Sequence, residues 1–283
     1  MSGNLPSRPS INEWVAQATQ QLESVGISSA RLDSELILGH TIRQNRSYLH
    51  AHPEELITER QHEIADARLA LRLDRVPVAY IIGHKEFYGH NFRVTTATLI
   101  PRPESESLIE LLTKAVPGNT TLLNEPWRLI DVGTGSGILG ITAKILYPEL
   151  VVTLADNSLH ALKIAEQNAE ELHVDVDILK SDLLATYPFV ANIIIANLPY
   201  VDPEWEHSPE LEHEPAEALY AARGGLALIY DLIEQTPGKL AAGGFLILEA
   251  DPEQHAAIIS YAKKYKLLLV ESEGYGLLLQ KLA

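Results

Sequence analysis

The chain contains no cysteine, so neither a disulfide framework nor a thiolate zinc site can be built from it. It has no apolar stretch near the roughly 20 residues that a membrane-spanning helix requires. Its opening, Met1-Ser2-Gly3-Asn4-Leu5-Pro6, lacks the charged and apolar regions of a secretory signal. These absences predict a cytoplasmic protein with no membrane partner. Cations are scarce as well: 22 Lys plus Arg stand against 38 Asp plus Glu, a formal charge of -16. That balance repels phosphate backbones and disfavours nucleic acid as a direct partner. It suits a cationic ligand or a basic protein surface, although charge of this kind also serves solubility alone. The eleven histidines include His50, His52, His207 and His213, but no third ligand completes a metal pattern, and no metal is expected.

What is present reads as one large domain and a small one. At 283 residues, 46% hydrophobic and 21% charged, the chain can bury a sizeable core. Ser10 and Glu13 make a capping box, and Ile11, Trp14, Val15, Ala18, Leu22 and Val25 recur at helical spacing until Gly26. Further helical patterns cover about 29–40 and 58–73, so residues 1–80 form a small helical domain. Residues 81–96 follow as a β-hairpin linker, with Gly89-His90 as its turn. Pro101 and Pro103 then force an extended path before a helix that begins near Glu104.

Residues 97–283 make the second domain. From Arg128, short apolar runs at 129–132, 151–155, 176–179, 193–196, 245–248, 267–270 and 277–279 alternate with helical stretches. This pattern predicts an α/β fold with a doubly wound, mainly parallel sheet and helices on both faces. The last two runs are separated by only six residues, too few for a crossover helix, so the final strand should be antiparallel to its neighbour. No repeat or low-complexity tract interrupts the chain.

Two motifs carry chemistry. Asp131-Val132-Gly133-Thr134-Gly135-Ser136-Gly137 is a glycine-rich strand-to-helix turn of the kind that lets a ligand approach the backbone. Residues 135–140 also satisfy the dinucleotide fingerprint, so a nicotinamide-dependent oxidoreductase must be weighed. Asp131 tilts the choice, because a carboxylate there opposes a pyrophosphate but helps hold the ammonium or sulfonium region of S-adenosylmethionine. Asp156, at the end of the second strand, can accept from both ribose hydroxyls in either cofactor class. Asp182 and Leu183, after the third strand, suit the adenine amine and ring face, although Asp182 also fits an ordinary turn or cap.

The second motif, Asn197-Leu198-Pro199-Tyr200, closes the fourth strand. An amide or amino nitrogen is a poor nucleophile because its lone pair is delocalised. The Asn197 side-chain oxygen and the Leu198 carbonyl can accept its two hydrogens and turn the lone pair toward a methyl donor. Pro199 biases Leu198 toward an extended backbone, and the Tyr200 ring can pack on a flat substrate group. Catalysis of this kind is mostly positioning and electrostatics.

The chain resembles the protein glutamine N5-methyltransferases that modify class I peptide-chain release factors. The likeness covers nearly its whole length: the helical amino-terminal domain, Ala79-Tyr80-Ile81-Ile82-Gly83, Glu86-Phe87-Tyr88-Gly89, Ile100-Pro101-Arg102-Pro103-Glu104, the glycine turn, Glu214-Pro215 with Ala218-Leu219, and Gly224-Gly225-Leu226. The resemblance implies a Rossmann-like class I methyltransferase sheet, with the helical domain helping to dock the release factor. It implies methyl transfer to the glutamine of a Gly-Gly-Gln loop. Asn197, Leu198, Pro199 and Tyr200 would hold the glutamine amide, with Asn197 also beside the cofactor. Residues 133–137, Asp156 and Leu183 would hold S-adenosylmethionine. Two departures stand out: Leu198 occupies the place of the family's usual first proline, and Leu183 that of a frequent aromatic.

Asn-Leu-Pro-Tyr is also the form seen in ribosomal RNA adenine N6-methyltransferases. Those enzymes place a basic helical domain after the glycine loop, whereas here the extra domain precedes the loop and the chain is acidic. A non-catalytic module that binds a translation factor is a further alternative. Glu204, Glu206, Glu210, Glu212 and Glu214 read either as an acidic rim for a basic partner or as a solvated loop.

Overall fold

The computed structural model describes residues 8–116 and 126–282, so the opening residues 1–6 read above for a secretory signal lie outside the described residues. Helix α1 (Ile11–Ser24) starts at the Ser10–Glu13 capping box, both of whose reciprocal hydrogen bonds form. It buries Ile11, Trp14, Val15, Ala18 and Leu22. Val25 leaves that stripe, because it caps the helix and turns outward. α2 (Ala30–Ile42), α3 (Arg46–Ala51), α4 (Glu59–Leu73) and α5 (Val78–Ile82) complete the bundle. α3 and α5 are too short for hydrophobic periodicity to reveal. Ile81 and Ile82 therefore close a helix.

These helices share one apolar core around Trp14, Leu22, Ile37 and Leu38. Asp33 and Arg72 are also buried, joined by Nε–Oδ2 at 2.8 Å, and the same guanidinium reaches Glu210 at 3.2 Å. Glu210 belongs to Ser208–His213, which clusters with the residues up to Gly83 as one compact unit. The second unit comprises His84–His207 and the chain from Glu214 onward.

The second unit opens with an antiparallel hairpin of β1 (His84–Phe87) and β2 (His90–Arg93). Its turn is Tyr88-Gly89, with φ of 48° and 78°, as a two-residue type I′ turn requires. The sequence reading of Gly89-His90 is thus one residue late, since His90 already pairs with Phe87. A 3-10 turn (Pro103–Ser105) then leads into α6 (Glu106–Ala115).

The sheet comprises β3 (Arg128–Val132), β4 (Val151–Asp156), β5 (Asp177–Lys180), β6 (Ala191–Ala196), β7 (Leu240–Glu249), β8 (Leu267–Glu273) and β9 (Gly276–Lys281). Their order is β5-β4-β3-β6-β7-β9-β8. The pairs among β3 to β7 are parallel, while β9 runs antiparallel to both β7 and β8, between which it inserts. Ile193 and Ile195 of β6 join one core with Leu129, Leu154, Leu108 and Ile141. Ile194 and Ala196 join the other with Ile130, Val132, Ile229 and Ile258. That alternation buries both faces under helices, among them α7 (Ile138–Leu146), α8 (Leu159–Glu171), α10 (Ala227–Gln235) and α11 (His255–Ala262), while the four-residue α9 (Ala216–Leu219) precedes α10 in the chain. The chain leaves β3 toward β4 on one side and later returns to β6 on the other. The order therefore reverses between β3 and β6, and a crevice opens at their carboxyl ends. No helix among the described residues is long and apolar enough to cross a membrane.

Candidate active site

The glycine turn leaves β3 at that reversal. Gly133, Gly135 and Gly137 have φ of 69°, 57° and 87°, a left-handed path that side chains resist. Gly133 and Thr134 N–H groups donate to the Ala155 carbonyl, so β4 holds the turn down. Asp131 fastens it from below: its Oδ2 accepts from Thr134 Oγ1 at 2.6 Å and from Gly140 N–H at 2.9 Å. The Asp131 carboxylate is buried, its Oδ1 has no hydrogen-bond partner among the described residues, and burial pushes its pKa up to about 6.

Asp156, at the end of β4, accepts from Gly135 N–H at 2.9 Å through Oδ2 and from Ser158 N–H at 2.8 Å through Oδ1. Burial raises its pKa against those bonds. Each oxygen retains a second lone pair for a ligand hydroxyl. Asn168 of α8 ties the turn to the hairpin exit, donating to Ser136 O and Arg93 O and accepting from Arg93 N–H.

At the end of β6, Asn197 Nδ2 donates to Ser105 Oγ at 3.0 Å, which turns the other end of the amide, Oδ1, away from Ser105. Leu198 is buried, and its Cδ2 lies 2.8 Å from where a Cβ on Gly133 would sit. Leu198 thus locks against the glycine turn, which offsets the stiffness a proline would give. The Tyr200 hydroxyl donates to Glu249 Oε1 at 3.0 Å, and Gln254 Nε2 holds the Tyr200 carbonyl at 2.8 Å. Burial and the Glu249 carboxylate push the Tyr200 phenol well above its ordinary pKa, so it stays a donor. Burial also raises the pKa of Glu249, against the hydrogen bond from Tyr200.

These elements enclose a cleft of about 1020 Å³, solvent at its mouth included. Gly133, Thr134, Gly135, Ser136, Asp156, Asp182, Leu183, Asn197, Leu198 and Pro199 of the sequence-predicted set line it. Asp131, Gly137 and Tyr200 are not among its lining residues. Asp131 is turned into the loop's own hydrogen bonds, Gly137 caps α7, and Tyr200 stands behind the strand end against Glu249. Leu183 lies on the wall with φ of 48°, a conformation uncommon for leucine.

Sequence reasoning missed Ser105 and gave Arg102 and Glu214, though both lie in motifs of the resemblance, no part in building the site. Glu214 is buried, accepts from Ile100 N–H at 3.0 Å and pairs with Arg102, fixing the strap of residues 97–102 that forms another wall. Glu214 is therefore no part of an acidic rim, and Glu210 is paired with Arg72 and Arg75. Glu249 was missed too, although a carboxylate ending the apolar run 245–248 was a signal, since strand ends are where such sheets bind ligands.

The residues present fit S-adenosylmethionine. A Cβ on Gly135 would meet nothing within 4 Å, so the turn has an open side against the cleft, and the buried Asp156 carboxylate stands beside it. A doubly wound sheet that carries this turn and Asn-Leu-Pro-Tyr at its reversal point is that of a class I S-adenosylmethionine-dependent methyltransferase. A methyltransferase structure from Pyrococcus furiosus shares the fold, with TM-score 0.51 and 16% identity over 77% of this chain and 98% of that one.

Residues 13–83 match the family model described as PrmC N-terminal domain, and residues 106–218 the model described as methyltransferase small domain. The chain is 35% identical to the release factor glutamine methyltransferase of Coxiella burnetii, over 94% of this chain and 92% of that protein. It is 34% identical to that of Escherichia coli, over 87% of each. The chain belongs to the release factor glutamine methyltransferase family. That membership sets aside the nicotinamide-dependent and ribosomal RNA readings.

Proposed function

We propose that the protein methylates the side-chain amide nitrogen of the glutamine in the Gly-Gly-Gln motif of a class I peptide-chain release factor, acting on the machinery of translation termination in the cytoplasm. The observation that carries this reading is the position of Asn197: it lines the same cleft as the glycine turn, with Nδ2 pinned to Ser105 and Oδ1 free to accept. In this reading Asn197 Oδ1 takes one hydrogen of the substrate amide and the Leu198 carbonyl takes the other. Pro199 keeps that carbonyl aimed, and Tyr200 braces the segment through Glu249.

S-adenosylmethionine supplies a methyl carbon activated by its sulfonium. Gly133, Thr134, Gly135 and Ser136 would cradle it, Asp156 would accept from its ribose hydroxyls, and Asp182 with Leu183 would border its adenine. Most of the barrier reduction comes from holding the nitrogen in line at near-attack distance. The amino-terminal helical unit, which contributes no cleft residue, is assigned to docking the release factor. The acidic chain suits a basic partner surface.

The test is incubation with labelled S-adenosylmethionine and a release factor, followed by mass spectrometry of the Gly-Gly-Gln peptide. A 14 Da gain on that glutamine, lost in Asn197→Ala with cofactor affinity retained, is the expected result. Label on RNA, or full turnover by the variant, refutes the reading.

A further inference from the structure

We propose that Glu249 is a positioning residue that sets which way the Asn197 carboxamide faces, acting through Ser105. The proposal rests on the reading of Asn197 as the acceptor for the substrate amide. A carboxamide and its 180° flip fill the same space, so only hydrogen-bond partners can choose between them. The partner of Asn197 Nδ2 is Ser105 Oγ, at 3.0 Å and fully buried. A hydroxyl both donates and accepts, so Ser105 alone would serve either orientation. In the flipped state it would donate to Oδ1, and Nδ2 would face the substrate's own N–H groups.

Glu249 removes that degeneracy. It ends β7, is 1% exposed, and a carboxylate can only accept. Tyr200 donates to its Oε1. Its Oε2 is buried and takes no hydrogen bond among the described residues; Ala196 pairs with Leu248, which sets Asn197, and through it Ser105, beside this carboxylate. An unpaired buried carboxylate oxygen is costly, so it draws the Ser105 hydroxyl hydrogen, and the Oγ lone pairs are left for Asn197 Nδ2. The chain of donors then runs one way, from Asn197 through Ser105 to Glu249, and Asn197 Oδ1 is the end presented to the cleft. Glu104 is the other charged group that acts on this carboxylate.

The decisive variant is Glu249→Gln, which keeps the shape but can donate into Ser105 and so permits the flip. We expect kcat/KM for the release factor to fall about 10- to 100-fold, as for other losses of orientation. The dissociation constant for S-adenosylmethionine and the melting temperature should stay near those of the unaltered enzyme. Ser105→Ala breaks the same relay and should cost a similar factor. The double variant should be no worse than the poorer single one, because both remove one device. Full turnover by Glu249→Gln, or losses that multiply in the double variant, overturns the proposal. Where Glu249→Gln does not fold, Ser105→Ala decides, and its full turnover is the refuting result. Asn197→Ala separates the two claims. An active Asn197→Ala refutes the amide clamp itself, whereas an inactive one beside a fully active Glu249→Gln refutes the relay alone.

Discussion

Replacing Glu214 by alanine should loosen the strap of residues 97–102 and lower stability together with cofactor binding. Glu214 accepts from the Ile100 N–H and pairs with Arg102, and its side chain is 1% exposed against 34% for the arginine. Removing one partner of a fully buried ion pair costs about 3–5 kcal/mol. The hydrated third of Arg102 reduces that figure. The Ile100 N–H, buried and newly unpaired, adds about 1–3 kcal/mol. A net loss of about 4 kcal/mol follows, which for a unit of this size lowers the melting temperature by about 8–16 °C.

Glu214→Gln keeps an acceptor for Ile100 and should cost less than half as much. Thermal denaturation followed by circular dichroism measures both variants, and calorimetric titration with S-adenosylmethionine measures the wall. An alanine variant that melts within about 2 °C of the parent would mean that the strap is held by something else. A glutamine variant as damaging as alanine would place the energy in the charge pair and refute the assigned role of the Ile100 bond.

Two further outcomes follow from the buried groups around the turn. Burial raises the pKa of Asp131 from 3.8 to about 6, so the folded protein binds more protons than the unfolded chain between those values. This group's effect therefore leaves stability highest below about pH 4 and lowers it as pH rises to about 6. Asp131→Asn removes that slope, and its stability relative to the parent, measured by urea unfolding, should improve by about 2 kcal/mol between pH 4.5 and 7.5; parallel profiles would refute the assignment. At Gly225 φ is 80°, and a Cβ would fall 1.9 Å from the Tyr200 carbonyl oxygen. Gly225→Ala should shift the Asn197–Tyr200 segment, cost about 2–4 kcal/mol and lower turnover, whereas parental melting and kinetics would show that the backbone yields freely.

The local elements were legible where the chemistry is local. The Ser10–Glu13 capping box lies within four residues, and the seven apolar runs of the sheet each stand out from their own neighbours, although the edge strands β5 and β8 are largely exposed. The hairpin turn slipped by one residue because Tyr88 adopts a positive φ, which glycine-based reading assigns elsewhere. The short helices α3 and α5 offered too few turns for periodicity. Leu198 read only as a departure from the family's usual proline, and its packing against Gly133 became visible with the fold.

By itself the sequence determined the class of fold, the glycine turn after β3 and the Asn-Leu-Pro-Tyr segment after β6, because each is a run of neighbouring residues with a fixed spacing. Tertiary structure alone decided what supports them. Ser105 meets Asn197 across 92 positions and Glu214 meets Ile100 across 114, while the sheet order brings Glu249 beside Tyr200 and slips β9 between β7 and β8. Those partnerships depend on buried polar atoms finding one another once the chain is folded, and spacing along the chain carries no trace of them.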